Sequence, residues 1–470
     1  MSANERSYAT PPVRWFQFQQ ASLALVFLVN VLCQGSPAFG ASEQFYSQHP
    51  APKSVEEIHQ PMEAHFKKRE KPESLFDVWE REGKVSRFPA WLSNQSLHFK
   101  TRTYYLLEDH KDDSTSEAWA LGNWLDYDTG WLFDRVALGA SLYTSQKLLG
   151  PADRDGTKLL LSGQESFAVL GQAYGRVRVA EDHQLVLFRQ KYDLPYLNKD
   201  DSRMAPITFE AYSLTGYFGK HAGFPSLHYI AGYVSQIKLK DSNRFVNMAK
   251  AAGVDGPNRG MVMEGMRFAL TKDLNLGVIN YTVPDTLNIL YSEGNMIFRP
   301  THEVSITTQL QFTYQSSLGD DLLTGTDFNT YQVAGEMVGS FRNGILRVAF
   351  STTTSDADIQ SPYGASPSPL IIMLNDFDRA GEDAWLIGLS YNFKDFGLEE
   401  LSGFVNFAQG FGARNLPNEE ELDVTLDYRF TKGPLHHWWL RLRNAFGNEI
   451  NGDKTENQVR VILNYDLPIF

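Results

Sequence analysis

The sequence predicts an all-β protein, a transmembrane antiparallel up-and-down β-barrel of about eighteen strands. Three observations predict it. The last two-thirds of the chain alternates apolar and polar residues with period two. In the stretch from Glu421 to Phe430, Leu422, Val424, Leu426, Tyr428 and Phe430 share one face, and Glu421, Asp423, Thr425, Asp427 and Arg429 the other. Repeated to the chain end, that pattern describes a wall with lipid on one side and water on the other. Second, the N-terminus carries an export signal. Third, short and long connections alternate between the strands.

The export signal comes first. Arg6 and Arg14 precede an apolar run from Ala21 to Cys33, and Ala38-Phe-Gly40 follows. This is the charged, apolar and small-residue order of a secretory signal, with cleavage expected after Gly40. The run has about thirteen residues, whereas a membrane helix needs about twenty. Residues 1–40 are therefore read as a signal peptide. The chain's single cysteine, Cys33, lies inside it, so the exported part has no disulfide framework. Leu32 sits where a lipidation motif needs a small residue.

Residues 41–95 read as a solvated periplasmic segment, with Lys67-Lys-Arg-Glu-Lys71 as a charge run and Ser74 as the N-cap of a short helix. A plug or partner-docking arm is the alternative. The segment is short for the plug of a large transporter, whose barrel has about 22 strands.

The barrel is expected over 96–470. Candidate strands are 96–108, 116–126, 130–144, 168–179, 183–192, 207–218, 224–236, 259–271 and 273–283, followed by 286–298, 302–315, 326–338, 344–354, 383–394, 399–409, 421–430, 435–446 and 457–469. Short connections at 126–130, 180–182, 299–301, 342–344 and 431–434 alternate with longer polar ones at 145–167, 193–206, 237–258, 355–382 and 410–420. Short turns on one rim and long loops on the other is the asymmetry of such barrels. Thr282-Val-Pro-Asp285 is short where a long loop is expected, so the ninth and tenth strands could be one. At the end, Val459, Val461, Leu463, Tyr465, Leu467 and Ile469 share a phase that Phe470 misses by one residue, and Pro468 is expected to absorb the slip. The last strand is also where the barrel-insertion machinery would bind.

Composition bounds the function. A net charge of -13 gives no support for nucleic-acid binding. A mean hydropathy of -0.33 argues against a polytopic helical membrane protein but not against a barrel. Aromatics at 13% suit interfacial girdles facing outer-membrane lipid. There is no G-x-S-x-G, P-loop, H-E-x-x-H or cysteine-based metal site, so no enzyme, cofactor or metal is indicated. His436-His437 beside Trp438-Trp439 reads as part of an aromatic belt, because neighbours in a strand point to opposite faces.

The lumen phase carries cations. Lys100 and Arg102 are expected inward on the first strand, Arg176 and Arg178 on the fourth, Arg189 and Lys191 on the fifth, Arg441 and Arg443 on the seventeenth, and Arg460 on the last. Since the last strand of a closed barrel meets the first, Arg441, Arg443, Arg460, Lys100 and Arg102 should form one basic wall. Such rows attract small anions or the carboxylate end of a zwitterion. The bland alternative is that they pair with lumen carboxylates such as Asp423 and Asp427. The loop 193–206, with a proline near each end, is expected to fold inward and present Tyr196, Asp200, Asp201 and Arg203 to the solute.

Several stretches resemble the OprD family of substrate-selective outer-membrane porins. They are Asp128-Thr-Gly-Trp-Leu-Phe-Asp-Arg-Val-Ala-Leu-Gly139, Gly171-Gln-Ala-Tyr-Gly-Arg-Val-Arg178, Leu194-Pro-Tyr-Leu-Asn198, Asn198-Lys-Asp-Asp-Ser-Arg-Met-Ala-Pro-Ile-Thr-Phe-Glu210, Asp376-Phe-Asp-Arg-Ala-Gly-Glu-Asp-Ala-Trp385 and Leu440-Arg-Leu-Arg-Asn444. The resemblance implies an 18-stranded barrel, monomeric or a loose homotrimer, in a Gram-negative outer membrane. It also implies an inward-folded loop, an arginine ladder and passive passage of small carboxylated solutes such as amino acids, short peptides and aromatic acids. Arg176, Arg178, Arg441, Arg443 and Arg460 match the ladder by position, and Arg203 lies in the matching loop. The alternative function is a barrel enzyme or adhesion or assembly protein acting through residues 41–95.

Overall fold

Alternating lipid-facing and lumen-facing side chains leave the backbone of each strand to be satisfied by its neighbours, and in this chain they are satisfied by closure. The computed structural model describes residues 95–470, apart from 220–223, 302, 451 and 453. The export signal at 1–40 and all but the last residue of the 41–95 segment lie outside the described residues.

Eighteen long strands form the wall. They are β1 Ser96–Asp109, β2 Thr115–Asp128, β3 Val136–Leu149, β4 Phe167–Ala180, β5 His183–Gln190 and β6 Thr208–Phe218. Then come β7 Ser226–Lys238, β8 Met261–Ala269, β9 Leu274–Val283, β10 Leu287–Phe298, β11 Val304–Ser316 and β12 Asn329–Phe341. The last six are β13 Gly344–Thr353, β14 Asp383–Asn392, β15 Leu401–Phe411, β16 Glu419–Arg429, β17 Trp438–Glu449 and β18 Thr455–Pro468. Each pairs antiparallel with the next, and β18 returns to β1 from His98↔Pro468 to Asp109↔Asn457. The barrel is closed, so no backbone edge faces lipid.

Every expected strand corresponds to one observed strand. The doubtful ninth and tenth are separate, paired from Val283↔Leu287 outward across a tight turn. The largest boundary shift is at β3, which starts at Val136 rather than near 130. The preceding turn bends through Phe133 and Asp134, both with left-handed φ (51° and 57°), a conformation that hydrophobic periodicity does not register. At the chain end, the N–H groups of Ile469 and Phe470 both donate to the Leu97 carbonyl, at 2.7 and 3.4 Å. Two residues face one, as in a β-bulge, and that arrangement takes up the phase slip of Phe470.

The faces separate as the alternation requires. On β11, Gln309, Gln311, Thr313 and Gln315 are buried toward the lumen while Leu310 is 58% exposed on the outside. Rings gather at the short-turn rim, with Trp438 5.0 Å from Tyr465, Tyr428 5.0 Å from Phe430 and Phe393 beside Tyr391. Such a girdle suits the polar boundary of a bilayer.

One half of the lumen is not polar. Ile230, Val234, Met263, Ile279, Tyr281, Ile289 and Tyr291 point inward from β7–β10 and form one apolar cluster with Tyr192, Tyr196, Leu197, Met248 and Tyr363 from the long loops. The loops fold in and pack there, and Leu159, Leu160 and Met204 also pack on the inward Tyr104, Leu106 and Ile462 of β1 and β18.

Lysine in place of Ile387, which is 48% exposed midway along β14, would put a charge at the depth of the lipid tails. Unfolding in urea from lipid vesicles should show a loss of about 2–4 kcal/mol. An unchanged midpoint would mean that this face does not meet lipid.

Candidate functional site

The polar half of the lumen is built on the closing seam. β17 and β18 form a hairpin, β18 meets β1 only because the barrel closes, and all five expected cations of the wall lie on the inward phase of these strands. Arg443 stands directly opposite Arg460, which stands opposite Leu106. Arg441 is one step lower opposite Ile462, Arg102 is opposite Asn464, and Lys100 is opposite Asp466. With about 3.4 Å of rise per residue, the row from Lys100 to Arg460 covers roughly 20 Å along the strand direction.

Flanking carboxylates hold this row in place. The Arg441 guanidinium donates to both Asp427 oxygens, at 2.7 and 2.8 Å, and lies 5.0 Å from the Trp439 ring. The paired arrangement expected as the bland reading is therefore present at this residue. Arg443 Nε donates to Thr425 Oγ1 at 3.1 Å. Arg460 donates to Gln458 Oε1 and, at 3.4 Å, to the Met373 carbonyl. Lys100 is the most open of the five, its side chain 39% exposed with Nζ 3.7 Å from Asp466. It lies 5.7 Å from the Trp124 ring centre.

Arg102 has a different task. Its guanidinium donates to Asn464 Oδ1 at 2.8 Å and to the carbonyls of Asp201 and Arg203. It pins the loop 191–207 against the wall.

That loop does fold inward. Its tip is a small hairpin in which Asp193–Leu194 pairs with Leu197–Asn198. Of the four residues expected to meet solute, Tyr196 does not. It is 1% exposed in the apolar half, its hydroxyl 2.9 Å from Thr313 Oγ1 and its ring 6.1 Å from Tyr291. The loop buries its aromatic against the inward tyrosines of β9 and β10, a partner that loop sequence cannot reveal. Arg203 reaches sideways and donates to the Thr157 carbonyl at 2.9 Å, tying two loops together. Asp200 forms an ion pair with Lys240 at 2.5 Å. Burial opposes the Asp200 charge, but Lys240, Ser202 and Arg203 overcome it and hold the carboxyl down at about 2. Burial also pulls the Lys240 ammonium below its usual value. Among the described residues the Asp201 carboxylate takes no hydrogen bond, so it stays available to the lumen.

A second loop closes on the first, one that the sequence reading treated only as a long connection. Residues 354–382 also enter the lumen, and the Asn198 side-chain amide bonds both the carbonyl and the N–H of Ala365, at 2.7 and 3.0 Å. The buried pair Arg347–Glu336 holds this loop through the Pro369 carbonyl, and Gln311 holds the Pro367 carbonyl at 3.0 Å. The signal was available in Pro362, Pro367 and Pro369, which stiffen it as Pro195 and Pro206 stiffen the first.

The second expected stripe is brought together in part. Arg176 donates to both oxygens of Asp128, at 2.9 and 2.8 Å, and Tyr174 donates to the same carboxylate at 2.8 Å. Arg176 and Arg178 both lie against Trp131, at 5.2 and 4.3 Å. The Tyr174 ring crosses Gly139, where an added Cβ would come within 2.2 Å of it. Arg189 does not join them. It pairs in register with Ala173 and Glu210 on the outward phase and is bound to Glu210 at 3.4 Å. The reason is the pairing register. Val186 and Phe188 stand opposite the inward Arg176 and Tyr174, so Arg189 shares the outward phase of Leu185 and Leu187, one residue off the inward assignment. Lys191, just past the strand, turns back into the lumen toward Asp126 and Lys100, and burial draws its ammonium below the ordinary value.

The model of one family, the OprD outer-membrane porins, matches residues 89–469 of this chain. The chain belongs to the OprD family. Solved porins share its fold. OpdK of Pseudomonas aeruginosa, determined with vanillate, superposes with a TM-score of 0.71 at 21% identity, over 81% of this chain and 100% of its own. OccK9 of the same organism gives 0.72 at 21% identity with the same coverage, and a BenF-like porin of Pseudomonas fluorescens gives 0.71 at 18%, also over 81% and 100%. No match is found among the curated proteins. As an OprD-family porin, the chain is an outer-membrane channel rather than an enzyme.

Asp200 is held below the ordinary value of 3.8, so its grip on the loop is complete above about pH 4 and is lost as pH falls toward 2. Single-channel recordings should show steady conductance down to about pH 4 and noisier, larger openings below it. Lys240→Met should give that noise already at neutral pH, since it leaves Asp200 buried without its partner. Equal noise at all pH values, in both proteins, would mean that the pair does not hold the loop.

Proposed function

We propose that this porin passes small carboxylate-bearing solutes, such as amino acids, short peptides or aromatic acids, by passive and selective diffusion. The observation that carries the reading is the row of five cations on the seam, beside which the inserted loops lie. Arg102 bonds the carbonyls of Asp201 and Arg203, so loop 191–207 lies against that row at its level. A solute that passes between them moves within reach of Lys100 and of the guanidiniums above it. Guanidinium groups keep their charge at any physiological pH and bind carboxylates through two parallel bonds. The apolar half, packed by the two loops, narrows the path and keeps fixed charges far from bulk water, which strengthens their attraction for an anion.

The Asp427 partner of Arg441 shapes the reading rather than opposing it. A row of bare cations would trap a carboxylate, and conduction needs binding weak enough to release. Cations partly satisfied by fixed acids offer a series of modest sites. Asp201, beside the row, adds a place for the amino group of a zwitterion.

Lys100→Ala combined with Arg443→Ala should weaken block by acetate about tenfold or more, since charge-assisted bonds contribute about 1.5–3 kcal/mol each. The reversal potential under a salt gradient should move toward cation preference in the same bilayer recordings. Unchanged block and reversal potential, with heat-modifiable migration of the folded barrel retained, would remove the row from the transport path.

A further inference from the structure

At the long-loop end of the seam, three side chains converge that transport does not use. Glu108 lies on the inward phase near the end of β1, and Glu456 on the inward phase at the start of β18. His110 follows β1 directly. Its Nδ1 is 3.8 Å from Glu108 Oε1 and 3.6 Å from Glu456 Oε1. One donor atom from each residue falls within 4.8 Å of the others.

The other imidazole nitrogen decides what this cluster can hold. His110 Nε2 is 2.9 Å from Ser116 Oγ, and the Ser116 hydroxyl donates its only proton to the Asp155 carbonyl at 2.8 Å. Ser116 Oγ must therefore accept from Nε2–H. In neutral His110 the lone pair then sits on Nδ1, facing two carboxylates, and three electron-pair donors meet with no proton between them. The separations are too long for hydrogen bonds. The two histidine–carboxylate distances are close to the edge of a ligand tetrahedron, roughly 3.4 Å for metal bonds of about 2.0–2.1 Å. A hydroxyl that fixes the remote N–H is also the outer partner that orients a metal-binding histidine.

The turn that carries His110 is closed by its own backbone, and the Lys111 charge, although paired elsewhere, also reaches Glu456. The His110 N–H donates to the Ser114 carbonyl at 2.9 Å and the His110 carbonyl accepts from Asp113 at 3.1 Å, which closes the turn on itself. Lys111 is committed to Glu419 at 2.5 Å and to Asn375 at 3.4 Å.

We propose that Glu108, His110 and Glu456 bind a divalent transition-metal ion of the zinc type in the outer vestibule. One imidazole and two carboxylates suit zinc, copper or nickel over magnesium, and three protein ligands leave a position for water. Because Glu108 belongs to the first strand and Glu456 to the last, the bound ion clamps the barrel across its closing seam. This inference is independent of the solute that the channel carries.

The test uses refolded, chelator-treated protein titrated with zinc chloride and, separately, magnesium chloride by calorimetry at neutral pH. Thermal loss of the compact, heat-modifiable form is followed in parallel. One zinc per chain, bound at least about tenfold more tightly than magnesium, with a raised melting temperature, is the expected result. His110→Ala and Glu456→Gln should each weaken zinc about tenfold or more while the compact form still assembles. Zinc uptake equally tight in His110→Ala would place the metal elsewhere, at His436-His437 for example, and overturn the proposal. So would wild-type protein that takes up no zinc, or whose melting follows pH alone and ignores zinc, the behaviour of a protonated His110 bridging the two glutamates.

Discussion

Backbone groups in a bilayer have no water to bond, and that constraint organises everything else in this molecule. The pairing of β18 with β1 meets it by removing the last free edge. The same pairing makes neighbours of residues hundreds of positions apart, Arg102 with Asn464 and Leu106 with Arg460. The basic wall, the anchor of the first loop and the glutamate–histidine cluster all lie on this seam. Each exists because the sheet closes on itself.

Closure leaves a wide interior, and the chain divides it unequally. Inward residues of β7–β10 are apolar and serve as a core for the inserted loops. Burying Tyr196, Leu197 and Met248 there gives the loops a fixed seat, which a loop resting only on polar contacts would lack. The fixed placement of the loops and their contacts with the cationic row are two results of one packing arrangement.

Most lumen charges are answered by other fixed charges. Arg441 with Asp427, Arg176 with Asp128, Arg347 with Glu336 and Lys240 with Asp200 all follow this rule. In a passage shielded from bulk water an unanswered charge is costly, and a pair costs far less. The pairs fall into two kinds. Arg347 and Lys240 hold loops, while Arg441 and Arg176 line the wall and stack on Trp439 and Trp131. Chemically similar side chains thus take structural or lining roles according to what lies above them.

The sequence by itself determined the class of fold, the eighteen strands, the alternation of rims and the inward phase of Lys100, Arg102, Arg176, Arg178, Arg441, Arg443 and Arg460. The reason is that period-two patterning is a local property, set residue by residue by the pleat of a strand. Only the tertiary structure decided that Arg102 anchors a loop, that Tyr196 is buried, that strand pairing sets Arg189 in the outward phase of Leu185 and Leu187, and that residues 354–382 enter the lumen. It alone brought His110 between Glu108 and Glu456. Loop conformation depends on which distant surfaces offer a matching seat, and the apolar inner face of β7–β10 is assembled from four separate strands. No local pattern encodes that meeting, because the free energy that fixes it comes from contacts formed only after the barrel has closed.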